Sequence, residues 1–163
     1  MKQHRLRSER FLGTLSNSAP AGNMESVDIG EALRTTAGIH NLKIDIQGSG
    51  QVLINEQSLN SICDNLFGNY IDQNRRNPEI DLNIGISITD NGPDLEISIK
   101  DNNGKPCLWP ERLFEPFWSE KGDGLGIGLY HARQLAQGAG GSLQAITPEH
   151  DPLIFVIILP KSV

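Results

Sequence analysis

The spacing of apolar residues changes near residue 80, and that change limits what the chain can build. Upstream, Leu59, Ile62, Cys63, Leu66, Phe67 and Tyr70 recur at i, i+3, i+4, i+7, i+8 and i+11. This is one face of a helix over 56–73, with Asn55 placed to cap it. Downstream, Leu82, Ile84, Ile86 and Ile88 alternate with other residues, and Leu95, Ile97 and Ile99 do the same. That period of two marks half-buried strands, and the stretch DNGPD between them reads as a hairpin loop. A chain with both periods must lay a helix against a sheet.

The remaining elements extend this plan. Residues 28–40 read as a short helix, and LKIDI and QVLIN as strands flanking the turn Gly48-Ser49-Gly50. Residues 102–124 are irregular and rich in Gly and Pro. A helix is expected from about Leu125, with Leu129, Ala132 and Ala136 on one side, ending at the Gly138-Ala139-Gly140-Gly141 cluster. SLQAI and PLIFVIIL close the chain as strands. The expected fold is α+β: a two-layer α/β sandwich whose mixed, mainly antiparallel sheet carries helices on one face. Residues 13–26, small and polar, read as a linker. The chain divides into an N-terminal helical stub and linker, 1–26, and one folded domain, 27–163.

Several functions are disfavoured at once. The net charge of −6 splits into +3 over residues 1–10 and −9 over the rest. An acidic body argues against nucleic acid as the main partner. No apolar run approaches a membrane span and no signal core opens the chain, so neither membrane contact nor secretion is expected. Two cysteines, Cys63 and Cys107, make no disulfide framework, and no C-x-x-C or H-x-x-x-H pairing offers a zinc site. A cytoplasmic setting is expected.

Three features carry chemistry. Gly122-Asp123-Gly124-Leu125-Gly126-Ile127-Gly128 places glycine at alternate positions and runs into a helix. Such a turn bares backbone N–H groups toward an anion, or is simply a flexible loop capped by a helix. It is neither a Walker A loop, since Gly104-Lys105 is followed by Pro106, nor a G-x-G-x-x-G turn. Asn65, Asn69 and Asp72 form a polar row at i, i+4 and i+7 beside the buried stripe. The two asparagine carboxamides either bond neighbouring backbone or serve as hard neutral ligands for Mg²⁺ beside phosphate oxygens. Asp101 shares strand parity with Leu95, Ile97 and Ile99. It is either an ordinary turn aspartate or an acceptor for a donor such as an adenine amine.

In this order the three features resemble the ATP-binding catalytic domain of sensor histidine kinases, in the superfamily of gyrase-type and chaperone ATPases (the Bergerat ATP-binding fold). Asp64-Asn65-Leu66-Phe67-Gly68-Asn69 resembles the N box, and Asp101-Asn102-Asn103-Gly104 the first glycine box. Leu113 to Lys121 resembles the F box, and Gly122 to Ile127 the second glycine box. The likeness spans about residues 27–161. Asp90-Asn91-Gly92-Pro93 is a rival for the first glycine box, but the family sets a complete hairpin between that box and the N box, and only one strand precedes Asp90.

The resemblance implies roles. Asp101 would bond adenine, with Ile71 and the Leu95–Ile99 strand as its apolar wall and Gly104 beside it. Asn69 with Asn65 would hold Mg²⁺. Lys121 and the backbone of Gly122, Gly124, Leu125 and Gly126 would cradle the phosphates of ATP. Asn69 and Lys121 would act directly in transfer of the γ-phosphoryl to a histidine outside this chain. Implied partners are the dimerisation and histidine phosphotransfer domain of the same kinase and a downstream response regulator. His4 lacks the acidic neighbour and proline of a phosphoacceptor motif, and 1–17 reads as the end of a dimerisation hairpin, so the chain is expected to be a catalytic fragment. His40, His131 and His150 have no acid partner in the sequence. Three residues depart from the family pattern: Asn103 or Lys105 where it has Gly, Asp72 where it often has Lys or Arg, and Asp123 inside the phosphate loop. The superfamily's hydrolases carry a Glu four residues before the metal-binding Asn, and Asn65 stands there instead. An anti-sigma-factor-type Ser/Thr protein kinase and a non-catalytic nucleotide-sensing or docking module are the alternatives.

Overall fold

The structure is a computed structural model and describes residues 23–117 and 127–162. Along the chain run β1 (Glu25–Asp28), α1 (Ile29–Ile39), β2 (Ile44–Gln47), β3 (Gln51–Ile54), α2 (Glu56–Arg76), β4 (Ile84–Asn91) and β5 (Asp94–Asp101). A 3₁₀ turn (Pro110–Phe114), α3 (Gly128–Gly138), β6 (Ser142–Ile146) and β7 (Ile154–Pro160) follow. The expected stub falls outside the described residues. The first strand begins at Glu25, inside the stretch read as linker.

Five strands form one sheet in the order β2-β4-β5-β7-β6, and β1 pairs with β3 in a separate ribbon. Only β2 and β4 are parallel in the larger sheet; its other pairs are antiparallel. The expected α+β sandwich with a mixed, mainly antiparallel sheet is therefore observed. The two strands expected around Gly48-Ser49-Gly50 are present, β2 and β3. The strands on either side of Gly48-Ser49-Gly50 do not pair with each other but enter different sheets. The backbone explains this: Gly48 takes φ +94°, and a Cβ there would strike the Ile88 carbonyl. The turn presses against β4 while the chain leaves the sheet, and α2 then supplies the crossover that a parallel neighbour requires.

Helix α2 begins at Asn55, whose side chain accepts from the Ser58 N–H at 3.1 Å, and buries Leu59, Ile62, Cys63, Leu66, Phe67 and Tyr70. It runs to Arg76, past the expected end. Helix α3 starts at Gly128 rather than Leu125, and Leu125 itself lies outside the described residues. It ends in a Schellman motif: Gly141 N–H donates to Ala136 at 2.9 Å and Gly140 N–H to Gln137 at 3.0 Å, with Gly140 at φ +85°. The hairpin loop between β4 and β5 shortens to Gly92-Pro93, because Asp90 and Asn91 pair with Leu95 and Asp94.

The core lies between the sheet and the helices. Leu95, Ile97 and Ile99 on β5 and Phe155, Ile157 and Leu159 on β7 are buried, while the alternate residues face the other way. Each such side chain contributes about 1.5–3 kcal/mol by burial. Phe155 is fully enclosed, and truncating it to Ala is expected to cost about 3–5 kcal/mol.

Candidate functional site

Strand parity carries Asp101 into the buried layer, where it is 6% exposed, one of two buried polar or charged side chains among the described residues. A buried carboxylate needs donors. Its Oδ1 accepts the N–H groups of Asn83 and Asn103, each at 3.0 Å. Among the described residues Oδ2 accepts no hydrogen bond, so one oxygen is fixed by backbone and the other is left for a donor. The turn beyond it closes through Gly104 N–H to the Asp101 carbonyl at 2.9 Å. A Cβ on Gly104 would itself lie 2.9 Å from that carbonyl oxygen, so the tight turn requires glycine. Asn103 sends Nδ2 to the Asp81 carbonyl at 2.7 Å and ties the turn to the chain entering β4.

Helix α2 carries the second group. Asn65 Nδ2 donates to the Ser61 carbonyl one turn back at 2.8 Å, which turns Oδ1 away from its own helix. That oxygen faces α3: a Cβ on Gly128 would sit 3.0 Å from it. Gly128 extends the alternate-glycine run but falls just past the stretch read as the second glycine box. Sequence reading placed it in the alternate-glycine run but not among the assigned binding residues, and its close approach to Asn65 is what the structure adds. Asn69 is half-buried and makes no side-chain hydrogen bond among the described residues. Asp72 is exposed and lies 3.9 Å from Arg75.

The start of α3 is the third group. Ile127 makes no side-chain cap hydrogen bond, and the first residue of the helix, Gly128, lies beside Asn65. Lys121, Gly122, Asp123, Gly124, Leu125 and Gly126 lie outside the described residues. Asp101, Gly104, Asn65 and Asn69 are described, and the fold joins the last two to the first through Tyr70. Its hydroxyl donates to the Ile99 carbonyl at 3.4 Å, two residues from Asp101. Burial, reinforced by the Asp101 charge, pushes the Tyr70 hydroxyl well above its ordinary pKa. The same ring stands edge-on to Phe155, centroids 6.1 Å apart, and Phe155 edge-on to Phe114 of the 3₁₀ turn at 6.5 Å.

Asp64, the neighbour of Asn65, points elsewhere. Its Oδ1 lies 2.6 Å from His40 Nε2 at the end of α1, so His40 does have an acid partner, brought to it by the packing of α1 on α2. Cys63, pushed up to about 12 by burial and then by the Asp64 charge, is no nucleophile. His131 on α3 is held below the usual imidazole range by burial, and its Nδ1 has no hydrogen-bond partner among the described residues. No helix among the described residues is long and apolar enough to cross a membrane.

The geometry agrees with what the chain is similar to. The family model described as "Histidine kinase-, DNA gyrase B-, and HSP90-like ATPase" matches residues 54–163, more than half of the chain. The two-component sensor PprA of Pseudomonas aeruginosa is 40% identical over 70 residues, a match covering 40% of this chain and 7% of that protein. The mycobacterial sensor histidine kinase MprB superposes with a TM-score of 0.69 at 20% identity, covering 85% of this chain and 97% of that one. The ATP binding domain of PrrB from Mycobacterium tuberculosis gives 0.64 at 21% identity, covering 87% and 100%. At such identities these two likenesses speak for the fold. With the family match they lead to one conclusion: the chain belongs to the histidine kinase-, DNA gyrase B- and HSP90-like ATPases and carries their ATP-binding domain.

Proposed function

We propose that this domain presents ATP for phosphoryl transfer to a histidine on a separate dimerisation and phosphotransfer domain, with a response regulator downstream. The observation that carries the reading is the Asp101 carboxylate, buried, fixed through Oδ1 and, among the described residues, unbonded at Oδ2. An exocyclic adenine amine is the donor that such an oxygen suits. Gly104 closes the turn beneath it, and Ile71 with the Leu95–Ile99 strand forms the apolar wall.

The donor set also suits Mg²⁺. Asn69 makes no side-chain hydrogen bond among the described residues, and Asn65 has its nitrogen engaged and its oxygen directed out toward Gly128. Neutral oxygens of this kind complement a hard cation that keeps phosphate and water ligands. When bound, such an ion would supply neutralisation of phosphate charge. The uncapped start of α3, preceded by Lys121, Gly122, Gly124, Leu125 and Gly126, receives the β and γ phosphates. In transfer the bond from the γ phosphorus to the β–γ bridging oxygen breaks as a bond to an imidazole nitrogen forms, and ADP leaves. The chain's part is positioning, with Asn69 and Lys121 nearest the reacting group.

Water is not activated. Asn65 cannot take a proton at neutral pH, and the Asp64 carboxylate is turned to His40. Hydrolysis by the domain alone is therefore slow, and no residue of its own is labelled. Residues 1–26 belong with the dimerisation hairpin, and 27–163 form the catalytic domain. The test incubates the chain with ATP, Mg²⁺ and a separately prepared dimerisation and phosphotransfer domain. Acid-labile phosphate on that second domain is expected. Acid-stable phosphate would favour a Ser/Thr kinase, and nucleotide binding without transfer a sensing or docking module.

A further inference from the structure

The closing strand carries more apolar side chains than the core uses. In a sheet with one covered face, residues alternate, apolar inward and polar outward. Strand β7 breaks that rule: Ile154, Val156 and Ile158 stand between Phe155, Ile157 and Leu159, which fill the core. The first three look out from the opposite face of the sheet. Helices α1, α2 and α3 bury their apolar sides in the core, so none of them covers that face. A strand apolar in both parities is the pattern of one covered on both sides.

Strand register arranges the outer face in rows. Ser87, Ser98, Val156 and Gln144 lie abreast in the middle. Thr89, Glu96, Ile158 and Ser142 form the row on one side, and Gly85, Lys100, Ile154 and Ile146 the row on the other. Ile146 is 44% exposed. Glu96 and Lys100 are the only charges in these rows, opposite in sign and about 13 Å apart, too far to pair with each other. Exchanging the two outer rows makes the face its own complement. A two-fold axis along the middle row lays a second copy on the first with its strands reversed. Val156 then meets Val156, Ile154 of each copy meets Ile158 of the other, and each Glu96 faces a Lys100.

We propose that this face is a docking surface for a second copy of this chain, packed sheet to sheet about that axis. The charges select this occupant: another partner would need its own acid and base at matching positions, while a second copy supplies both. The helical layer with Asn65 and Asn69 stays uncovered, so the proposal does not depend on the ATP reading. The rows span about 19 by 17 Å, small for a stable interface, which sets the association in the micromolar range.

The test is sedimentation velocity on the whole chain from about 1 to 200 μM. The unsubstituted chain is expected to pass from monomer to dimer across that range. Val156→Glu puts two like charges together at the axis and should stay monomeric. Glu96→Lys and Lys100→Glu each set like charges face to face at two places, and each alone should weaken association at least tenfold. Mixed in equal amounts, these two variants are complementary at both places, and the mixture should dimerise to within about threefold of the unsubstituted chain. Recovery also shows that both are folded. The double reversal in one chain, Glu96→Lys with Lys100→Glu, restores both pairs and should dimerise alike, which keeps the test decisive if a single variant misfolds. A monomer throughout overturns the proposal. So does association undiminished by the single reversals, which would place the contact in residues 1–22 or on another face, and so does failure of both the mixture and the double reversal to recover.

Discussion

The β4–β5 hairpin has an aspartate near each end, Asp90 by the loop and Asp101 where the chain leaves β5, and the fold treats them differently. Asp90 is exposed; Lys161 Nζ reaches both of its oxygens at 2.9 Å, and Oδ1 also accepts from Gly92 N–H. The ammonium bond, before all else, holds its carboxyl below the ordinary carboxylate range. Asp101 is buried, meets no cation among the described residues, and is held by two backbone N–H groups on one oxygen. The letters around Asp90 look more like a nucleotide motif than those around Asp101. Both fall on the core face of the sheet, Asp90 opposite Leu95 and Asp101 opposite Ile84. What separates them is that Asp101 is buried and Asp90 exposed, and whether one oxygen stays unclaimed among the described residues. A carboxylate already neutralised by lysine has little to offer a ligand.

The largest effect expected is at the buried end. Asp101→Ala leaves two backbone donors without their acceptor and should cost about 2–4 kcal/mol, read as a lower urea midpoint at unchanged slope. Asp90→Ala should barely move that midpoint. If the two cost the same, burial is not what distinguishes them. A matched pair of glycines sharpens the contrast. Gly104→Ala brings a Cβ to 2.9 Å from the Asp101 carbonyl oxygen and should weaken both stability and nucleotide binding. Gly92 has φ +74° and open space, so Gly92→Ala should cost about 1 kcal/mol of backbone strain and leave binding untouched.

The smallest effect concerns acid. Because the folded pKa of Asp90 is depressed, its contribution is full above the ordinary carboxylate value of about 3.9 and fades as pH falls through the lower folded value. Lys161→Met should flatten that part of the stability–pH curve without altering nucleotide affinity at neutral pH. A change in affinity would show that the two ends are coupled.

Much of this was legible in advance, for physical reasons. The α2 stripe, its Asn55 cap and the inward parity of Asp101 follow from side-chain periodicity, which burial enforces residue by residue. The exit of the chain at Gly48 was not legible, since three small residues between two strands suit a hairpin equally well. Only the approach to the Ile88 carbonyl decides it. The His40–Asp64 contact and the Gly128–Asn65 approach link residues 24 and 63 positions apart in sequence, and only packing between elements creates them. The row of Asn65 and Asn69 could be seen in the sequence. That one amide is tied back to Ser61, and the other left unbonded among the described residues, could not.

The central claim is that Asp101, through its free oxygen, is the nucleotide's anchor, and one parallel titration tests it most directly. Asp101→Asn keeps an oxygen for the Asn83 and Asn103 N–H groups, so the fold survives, but turns a donor toward the ligand. With AMPPNP and Mg²⁺, we expect the unsubstituted chain and Asp90→Asn to bind alike, and Asp101→Asn to lose at least a hundredfold in affinity with its urea midpoint preserved. Binding retained by Asp101→Asn and lost by Asp90→Asn would contradict the account.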